Sequence, residues 1–334
     1  MKRILLTGGF GYIGSHTASV LASENKDFII YDNFSNSKFS VLERLEKTIN
    51  KKTVYVNADI LDTNKLIQTI DNYEIKSVMH FAALKSVRES FIKPLSYYQI
   101  NIAGTISLLL AMEKTNVKNL LFSSSATIYG EPNYLPIDEK HPLRAINPYG
   151  ETKLAVENIL KKLVDSDKSW SVTSLRYFNP IGSHHLGLIG DDPLSGKSEN
   201  LMPSIIKVFK GIKKNLEIFG DNYETIDGTG VRDYIHIMDL AEAHAKALEY
   251  LECSNGLNIF NLGTGKGVSV LELIKSFEKI IGYSLPKVIK EKRFGDAAYC
   301  FADPTKAKNI LKWNTKRDLN EMCLSALNFS KINT

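Results

Sequence analysis

Tyr149 and Lys153 stand four residues apart in Pro148-Tyr149-Gly150-Glu151-Thr152-Lys153. On a helix that spacing puts a phenol and an ammonium on one face, so both would reach the same site. A free tyrosine titrates at about 10, so it takes a proton near neutral pH only where positive charge lowers that value. A fall of ~3 units corresponds to about 4 kcal/mol of differential stabilisation, within reach of a partly dry site. The spacing alone is not specific, but it makes Tyr149 a candidate base and Lys153 one source of that charge. Ser125, 24 residues before Tyr149, ends the run Ser123-Ser124-Ser125 and would hydrogen-bond the oxygen that loses its proton. Ser123 and Ser124 read as structural, and Ser125 taken alone would read as a turn residue. A second pair at the same spacing, Tyr283 and Lys287, encloses Pro286. Proline interrupts a helix, so this copy is read as chance.

An oxidation at that site needs a hydride acceptor, and the N-terminal segment reads as its seat. Thr7-Gly8-Gly9-Phe10-Gly11-Tyr12-Ile13-Gly14 follows a short apolar run, with Gly8, Gly11 and Gly14 spaced GxxGxxG. This is not the GxGxxG of ordinary dehydrogenases, but the physics is similar. It combines a tight turn, close backbone approach to a pyrophosphate, and a helix N-terminus aimed at it. Asp32 ends the next apolar run, 18 residues after Gly14. A carboxylate there bonds both adenosine ribose hydroxyls and repels a 2′-phosphate, which favours NAD over NADP. Asp59, in Ala58-Asp59-Ile60, would meet the adenine amino group, and Phe81-Ala82-Ala83 would let the cofactor lie against backbone. The positive nicotinamide ring would add its charge to that of Lys153.

These residues sit at the ends of short apolar runs: 4–7, 28–31, 54–57, 78–81, 120–123 and 172–176. The runs read as buried parallel strands, and longer amphipathic stretches between them, such as 95–114 and 149–165, read as helices. Such alternation predicts an α/β fold, a Rossmann-type doubly wound parallel sheet with ligands at the carboxyl ends of its strands. After Asn179 the texture changes. A glycine- and proline-containing loop is expected over 181–200, a helix from Leu201, a strand over 216–219 and a polar loop over 221–232. A β–α–β passage through 233–237, 240–250 and 258–261 is expected to return to the large sheet. The division is an NAD-binding domain, 1–180 with that return segment near 233–262, and a smaller α/β domain, mainly 181–334, carrying helices over 268–281 and 319–328.

Composition excludes several classes. The 334 residues are 43% hydrophobic and 24% charged, which fits a globular chain with ample core. The net charge of +5 is spread without a basic block, so nucleic acid is not the expected partner. Cys253, Cys300 and Cys323 form no CxxC pair, which reads as a reduced protein. The Met1-Lys2-Arg3 start precedes too short an apolar run for a signal peptide, and no window approaches a membrane span. The expected compartment is the cytoplasm.

Strand–GxxGxxG–helix, Asp32 and the Ser125/Tyr149/Lys153 set together resemble the extended short-chain dehydrogenase/reductase family. Five blocks are similar to its UDP-glucose 4-epimerase branch: Thr7 to His16, His80 to Lys85, Phe122 to Gly130, Leu175 to Pro180 and Asp227 to His236. The resemblance spans nearly the whole chain. It implies reversible inversion at C4 of a UDP-hexose. Tyr149 removes the 4-hydroxyl proton, NAD takes and returns the hydride, and the 4-keto sugar turns over between the two steps. It also implies cofactor contacts at Tyr12, Ile13, Asn33, Asn36, Ser37, Ile60, Lys85, Asn101 and Phe178. Substrate contacts are implied at Ala126, Thr127, Asn179, Asn200, Leu201, Asp296 and the strand Glu217-Ile218-Phe219. Arg232 and Arg293 carry the forked donors that suit a diphosphate.

Two features sharpen the reading. Nucleotide-sugar 4,6-dehydratases use an acidic pair beside the serine or threonine, whereas Ala126 and Thr127 follow Ser125 here. Neither does acid–base work near neutral pH, so simple epimerisation is expected. Epimerases restricted to unmodified hexoses usually carry a tyrosine two residues before an Ala-Asp like Ala302-Asp303. Here Cys300 holds that place, with Tyr299 displaced by one. The smaller side chain leaves room beside sugar C2, so UDP-N-acetylglucosamine and its 4-epimer are expected substrates, also or preferentially. His184-His185 near Asp191-Asp192 is read as a substrate-side loop, not a metal site. The alternatives are a dehydratase or net reductase of the same family, or a non-catalytic NAD-sensing protein, since fold alone does not decide function. The family resemblance further implies a homodimer through the 95–114 and 149–165 helices.

Overall fold

The computed structural model describes residues 3–192, 200–293 and 295–333. Met1 and Lys2, the 193–199 part of the expected loop, Phe294 and Thr334 lie outside the described residues. In chain order the strands are β1 (Arg3–Thr7), β2 (Phe28–Asp32), β3 (Tyr55–Asn57), β4 (Ile75–His80), β5 (Asn119–Ser125), β6 (Ser171–Tyr177), β7 (Asn179–Ile181), β8 (Leu216–Phe219), β9 (Val231–Arg232), β10 (Tyr234–His236), β11 (Gly256–Leu262), β12 (Val268–Ser269), β13 (Lys287–Lys290) and β14 (Tyr299–Cys300). The helices are α1 (Tyr12–Ser23), α2 (Ser40–Ile49), α3 (Thr63–Asn72), α4 (Val87–Ile92), α5 (Pro94–Tyr97), α6 (Gly104–Lys114), α7 (Pro148–Ser166), α8 (Leu201–Phe209), α9 (Ile237–Leu251), α10 (Val270–Ile281), α11 (Thr305–Ile310) and α12 (Leu319–Ile332).

Seven parallel strands in the order β11-β6-β5-β4-β1-β2-β3 form the main sheet. Alternate strand residues feed two opposite cores. Ile4, Leu6, Ile30, Met79, Leu121 and Leu175 pack with helix α9 residues on one face. Leu5, Ile29, Val78, Leu120, Phe122 and Val172 pack with residues of α3, α6 and α7 on the other. Both faces are covered, which is why these strands read as continuous apolar runs instead of alternating ones. The strand order reverses between β1 and β4, and that switch point opens a crevice at their carboxyl ends.

Two expectations change here. Only β11 of the β–α–β passage returns to the large sheet. β10 instead pairs in parallel with β7 in a separate two-stranded sheet. Sequence pattern marks a strand but not its partner, and β7 is only three residues long. Second, Pro94–Lys114 is, by length and composition, apolar enough to cross a membrane. It is a helix of this fold whose Leu108, Leu109, Ala111 and Met112 lie in the core. Its middle, Tyr98–Ala103, widens to π geometry.

A further core gathers Met202, Ile205 and Ile206 of α8, Ile218 of β8, Ile274 and Phe277 of α10, and Met322, Cys323 and Leu327 of α12. Near it lie two small sheets, β13–β8 and β12–β9–β14. The last sheet brings Arg232 and Cys300 into register as neighbours.

Candidate active site

The glycine loop leaves β1 under tight steric control. Gly8 has φ of +68°, and a Cβ there would lie 2.6 Å from the Ala82 nitrogen. Only glycine combines that conformation with so close a neighbour. A Cβ on Gly14 would lie 2.6 Å from the Gly8 carbonyl, so the third glycine lets α1 press against the loop. Gly11 precedes α1 in extended conformation, and no side chain caps the helix there. The first-turn N–H groups of α1 are thus left for an anion.

From this loop a groove runs past Tyr31, Asp32, Asn33, Asn36, Ser37, Ile60 and the Phe81–Ala83 turn. Asp32 is buried, accepting from the backbone of Phe10 at 3.0 Å and Phe34 at 2.8 Å, with the Ser37 hydroxyl at 3.4 Å. Burial raises its carboxyl above the ordinary range, and these donors oppose the shift. Asp59 accepts from the Asn33 amide at 2.8 Å and the Leu61 N–H at 2.9 Å, which fixes it at the end of β3. Ile13, in the first turn of α1, packs against the core. The Tyr12 hydroxyl donates to the Gly182 carbonyl at 2.7 Å, and the Lys85 ammonium stands 5.6 Å from its ring centre.

Asn101 is held differently from a simple ligand contact. Its amide clamps both the N–H and the carbonyl of Leu84, at 2.8 and 3.0 Å, and donates to Thr152 at 2.9 Å. The π-widened turn that carries Asn101 thus ties the chain after β4 to α7, as such turns often do at functional sites.

Across the crevice, α7 begins at Asn147, whose side chain accepts from Gly150 N–H at 2.8 Å, with Pro148 in its first turn. This cap fixes the first helical turn and thus Tyr149. The Lys153 ammonium is buried, donates to the Ser123 carbonyl at 2.6 Å and lies 4.9 Å from the Phe122 ring centre. Ser125 Oγ accepts from Thr127 N–H at 3.2 Å and lies 3.0 Å from the Thr127 hydroxyl; its hydroxyl is near enough to the Tyr149 phenol to lower that group's pKa. The expected set therefore converges at the carboxyl end of β5. The positive field expected from Lys153 does not dominate the phenol. Burial pushes Tyr149 above its ordinary value, opposed only by the neighbouring Ser125 hydroxyl. Burial also pulls Lys153 down to about 7, with Glu157 opposing. Spacing placed the two side chains on one face but could not weigh their desolvation.

On the opposite wall, Arg232 donates to the carbonyls of Val231 and Ala297 at 2.9 and 2.8 Å and stands 3.6 Å from Asp296. The Arg293 guanidinium lies 3.8 Å from the ring centre of Phe219, in the strand that also holds Glu217 and Ile218. Asn179 is exposed at the start of β7, and Asn200 is exposed just before Leu201 opens α8. Cys300 packs in a small cluster with Ala126, Tyr129, Phe178 and Ala302. Burial raises its thiol to about 11, so it stays neutral. The His184 and His185 rings are tilted against each other at 35°, with centres 4.1 Å apart. Among the described residues no group of three His, Cys, Asp or Glu is placed to hold a metal ion.

Sequence reasoning passed over the buried polar residues behind these walls. Asp233, fully buried, accepts from Thr264, Gly265 and Ala302 backbone at 2.7, 3.0 and 3.1 Å. Glu157 and Arg176 form a buried ion pair at 2.6 Å behind β5. Only spacing hinted at Glu157, four residues beyond Lys153.

A doubly wound parallel sheet, a GxxGxxG loop at its switch point and a Ser/Tyr/Lys set at the end of β5 define an extended short-chain dehydrogenase/reductase. The family described as GDP-mannose 4,6 dehydratase matches residues 5–325. UDP-glucose 4-epimerase of Bacillus subtilis is 49% identical over 99% of this chain and 97% of its own. A crystal structure of UDP-glucose 4-epimerase from Bifidobacterium longum, in complex with NAD+ and UDP, superposes with TM-score 0.96 at 44% identity, covering 99% of both chains. The enzyme of Stenotrophomonas maltophila, with bound NAD and formylated UDP-arabinopyranose, does so with TM-score 0.96 at 43% identity, over 99% and 98% of the two chains. The chain belongs to the UDP-glucose 4-epimerase family, a family of NAD-dependent isomerases.

Proposed function

We propose that this protein inverts C4 of UDP-glucose and UDP-galactose with NAD resident in the site, and accepts UDP-N-acetylglucosamine and its 4-epimer, also or preferentially. The observation that carries the reading is the convergence of Tyr149 and Lys153 of α7 on the end of β5, where Lys153 donates to the Ser123 carbonyl and Ser125 adjoins the phenol, with no carboxylate at Ala126 or Thr127. The residues fit the cofactor: a Cβ on Gly8 or Gly14 would fill the turn, the start of α1 has no side-chain cap, and Asp32 lines the adjoining groove. Gly11, Asp32 and the Phe81–Ala83 turn would hold the dinucleotide. When bound, NAD supplies a hydride acceptor at sugar C4 that gives the same hydride back, and a positive charge beside Tyr149.

Tyr149 takes the proton of the 4-hydroxyl and later returns it, while Ser125 holds the same oxygen. Since burial alone raises the Tyr149 phenol, the base becomes competent only when positive charge lies beside it. Arg232 and Arg293 anchor the diphosphate, Asp296 the uridine ribose and β8 the uracil, so that the sugar alone turns over. Acceptance of an N-acetyl group is supported by Cys300, which packs beside Ala126 and Phe178 where a tyrosine would fill space. The NAD-holding part is residues 1–180 with 233–262, and the rest mainly holds the nucleotide sugar, in keeping with the separate core around α8, α10 and α12. The reading includes the cytoplasm as compartment and a homodimer, the dimer supported by Leu95, Tyr98, Ile106 and Leu110 exposed along Pro94–Lys114.

The test is to incubate purified protein with UDP-glucose and UDP-N-acetylglucosamine separately, without added NAD. Each 4-epimer is expected. A dehydrated 4-keto sugar, or stoichiometric consumption of added NADH, would overturn the assignment.

A further inference from the structure

Tyr149, Lys153 and Glu157 follow one another at four-residue steps along α7. The first two face the reacting oxygen in the reading above. The third points into the protein behind them. Glu157 is 4% exposed, a rare place for a carboxylate unless it is fully partnered. Its Oε1 accepts from Ser124 at 2.6 Å, Ser174 at 2.8 Å and Arg176 Nε at 3.1 Å, and its Oε2 accepts from Arg176 Nη2 at 2.6 Å.

The identity of those donors gives the cluster its meaning. Ser124 lies between Ser123, whose carbonyl receives the Lys153 ammonium, and Ser125, which adjoins the Tyr149 phenol. Arg176 sits opposite Ser124 in the β5–β6 register. One carboxylate thus ties α7 to both strands at the level of the reacting groups. Well-packed hydrophobic residues in place of a buried ion pair are often as stable, so a pair like this is weak evidence of a stabilising role. The pair's value therefore lies in what it does to its neighbours.

We propose that Glu157 is a positioning residue for the epimerase reaction, supplying the counter-charge that keeps the Lys153 ammonium beside Tyr149 and fixing β5 through Ser124. The proposal rests on Tyr149, Lys153 and Ser125 being the reacting set. The groups facing Lys153 are Tyr149 and Glu157 from α7, the Ser123 carbonyl and Phe122 ring from β5, and His80 from β4. Arg176 of β6 stands behind Glu157. Burial keeps His80 neutral near pH 7, so Glu157 is the one anion in this set. Its field opposes the desolvation that draws Lys153 down. Without it, the ammonium would lose its proton at lower pH.

The experiment measures kcat against pH, with bound NAD, for wild type, Glu157→Gln, Glu157→Asp and the charge-free double variant Glu157→Gln/Arg176→Met. Glu157→Gln and the double variant are expected to retain NAD. The alkaline limb of the Glu157→Gln kcat profile should move to lower pH by about one unit, with about tenfold lower kcat above it, and that of the double variant by less, because Arg176→Met also removes a cation whose field lowers the Lys153 pKa. Glu157→Asp keeps the charge and should return the limb to its wild-type position even if kcat is lower throughout. In Glu157→Gln, a uniform fall in kcat with an unmoved limb overturns the proposal, because that is what a merely structural role produces. Loss of NAD and of folding together in both neutral variants overturns it too, since Glu157 would then serve the fold alone. If wild type forms no 4-epimer, the reaction itself is wrongly assigned and the proposal falls with it.

Discussion

The two walls of the crevice are built by different means. On the glycine-loop side the polar groups are already fixed by backbone: Asp32 holds the N–H groups of Phe10 and Phe34, and Asp59 that of Leu61. On the opposite side the polar groups are side chains from separate segments, with Arg232 on β9 and Arg293 beyond β13. Arg232 rests on two carbonyls, and Arg293 on an aromatic face. A preorganised wall loses little freedom when it binds, so it suits a resident cofactor, whereas side chains that are ordered on binding suit a ligand that must leave. Tyr149 and Ser125 stand where the walls meet.

The largest effect is expected where the walls meet. Tyr149→Phe removes the proton acceptor and leaves its ring packing against Tyr97, 6.4 Å away, intact. We expect kcat to fall about a thousandfold while NAD content and substrate KM change little. An NAD-sensing protein would be indifferent to the change, and substantial remaining turnover would remove Tyr149 from the mechanism.

Paired substitutions sharpen the difference between walls. Asp32→Ala strips the acceptor of two backbone N–H groups and the partner of the ribose. The purified variant should therefore carry little NAD, as measured by release on denaturation. Arg293→Ala should leave NAD content as in wild type and raise substrate KM on the order of tenfold to a hundredfold. If both variants lost NAD equally, the walls would not be separable.

Much of this was legible in the sequence, and the unequal legibility of the walls follows from physics. The glycine loop, Asp32 and the Phe81–Ala83 turn sit at strand ends, where local pattern and function coincide. Tyr149 and Lys153 share a helix face by spacing alone. The partners of β7 and β10 were not legible, because pairing between three-residue strands is decided by tertiary packing. Nor was the rise of the Tyr149 phenol, since desolvation depends on what covers the ring. Glu157 and Arg176 belong to elements read correctly, but the bond between them exists only once α7 lies on β6.

A smaller effect is expected at Cys300. The arginine wall meets the reacting set through the cluster of Cys300, Ala126 and Phe178. Cys300→Tyr fills that space, so turnover of UDP-N-acetylglucosamine should fall on the order of tenfold or more relative to UDP-glucose. Unchanged relative turnover would show that the side chain at this position does not gate the sugar.

The smallest effect lies at the seam joining the walls, where three histidines are buried. His16 of α1 is held near 3 and His236 of β10 near 3, each chiefly by burial, and His184 near 4 for the same reason. His236 Nδ1 accepts from Met238 N–H at 3.0 Å, and its Nε2 lies 3.1 Å from the Ser325 hydroxyl, so the neutral ring is already fully used. In the unfolded chain each histidine takes a proton at about 6.5. Below that pH the unfolded state therefore binds more protons, and stability falls as pH drops toward the folded values, by up to ~1.4 kcal/mol per pH unit for each histidine. Burial raises Asp32 and Asp233, which act in the opposite direction, so the informative quantity is a difference in slope. His236→Asn keeps an acceptor at the start of α9 and removes the titration. Between pH 6.5 and 4, urea unfolding of this variant should depend on pH less steeply than wild type, by about one proton. An equal slope would mean that His236 is protonated in the folded protein, and that the seam is wetter than its burial implies.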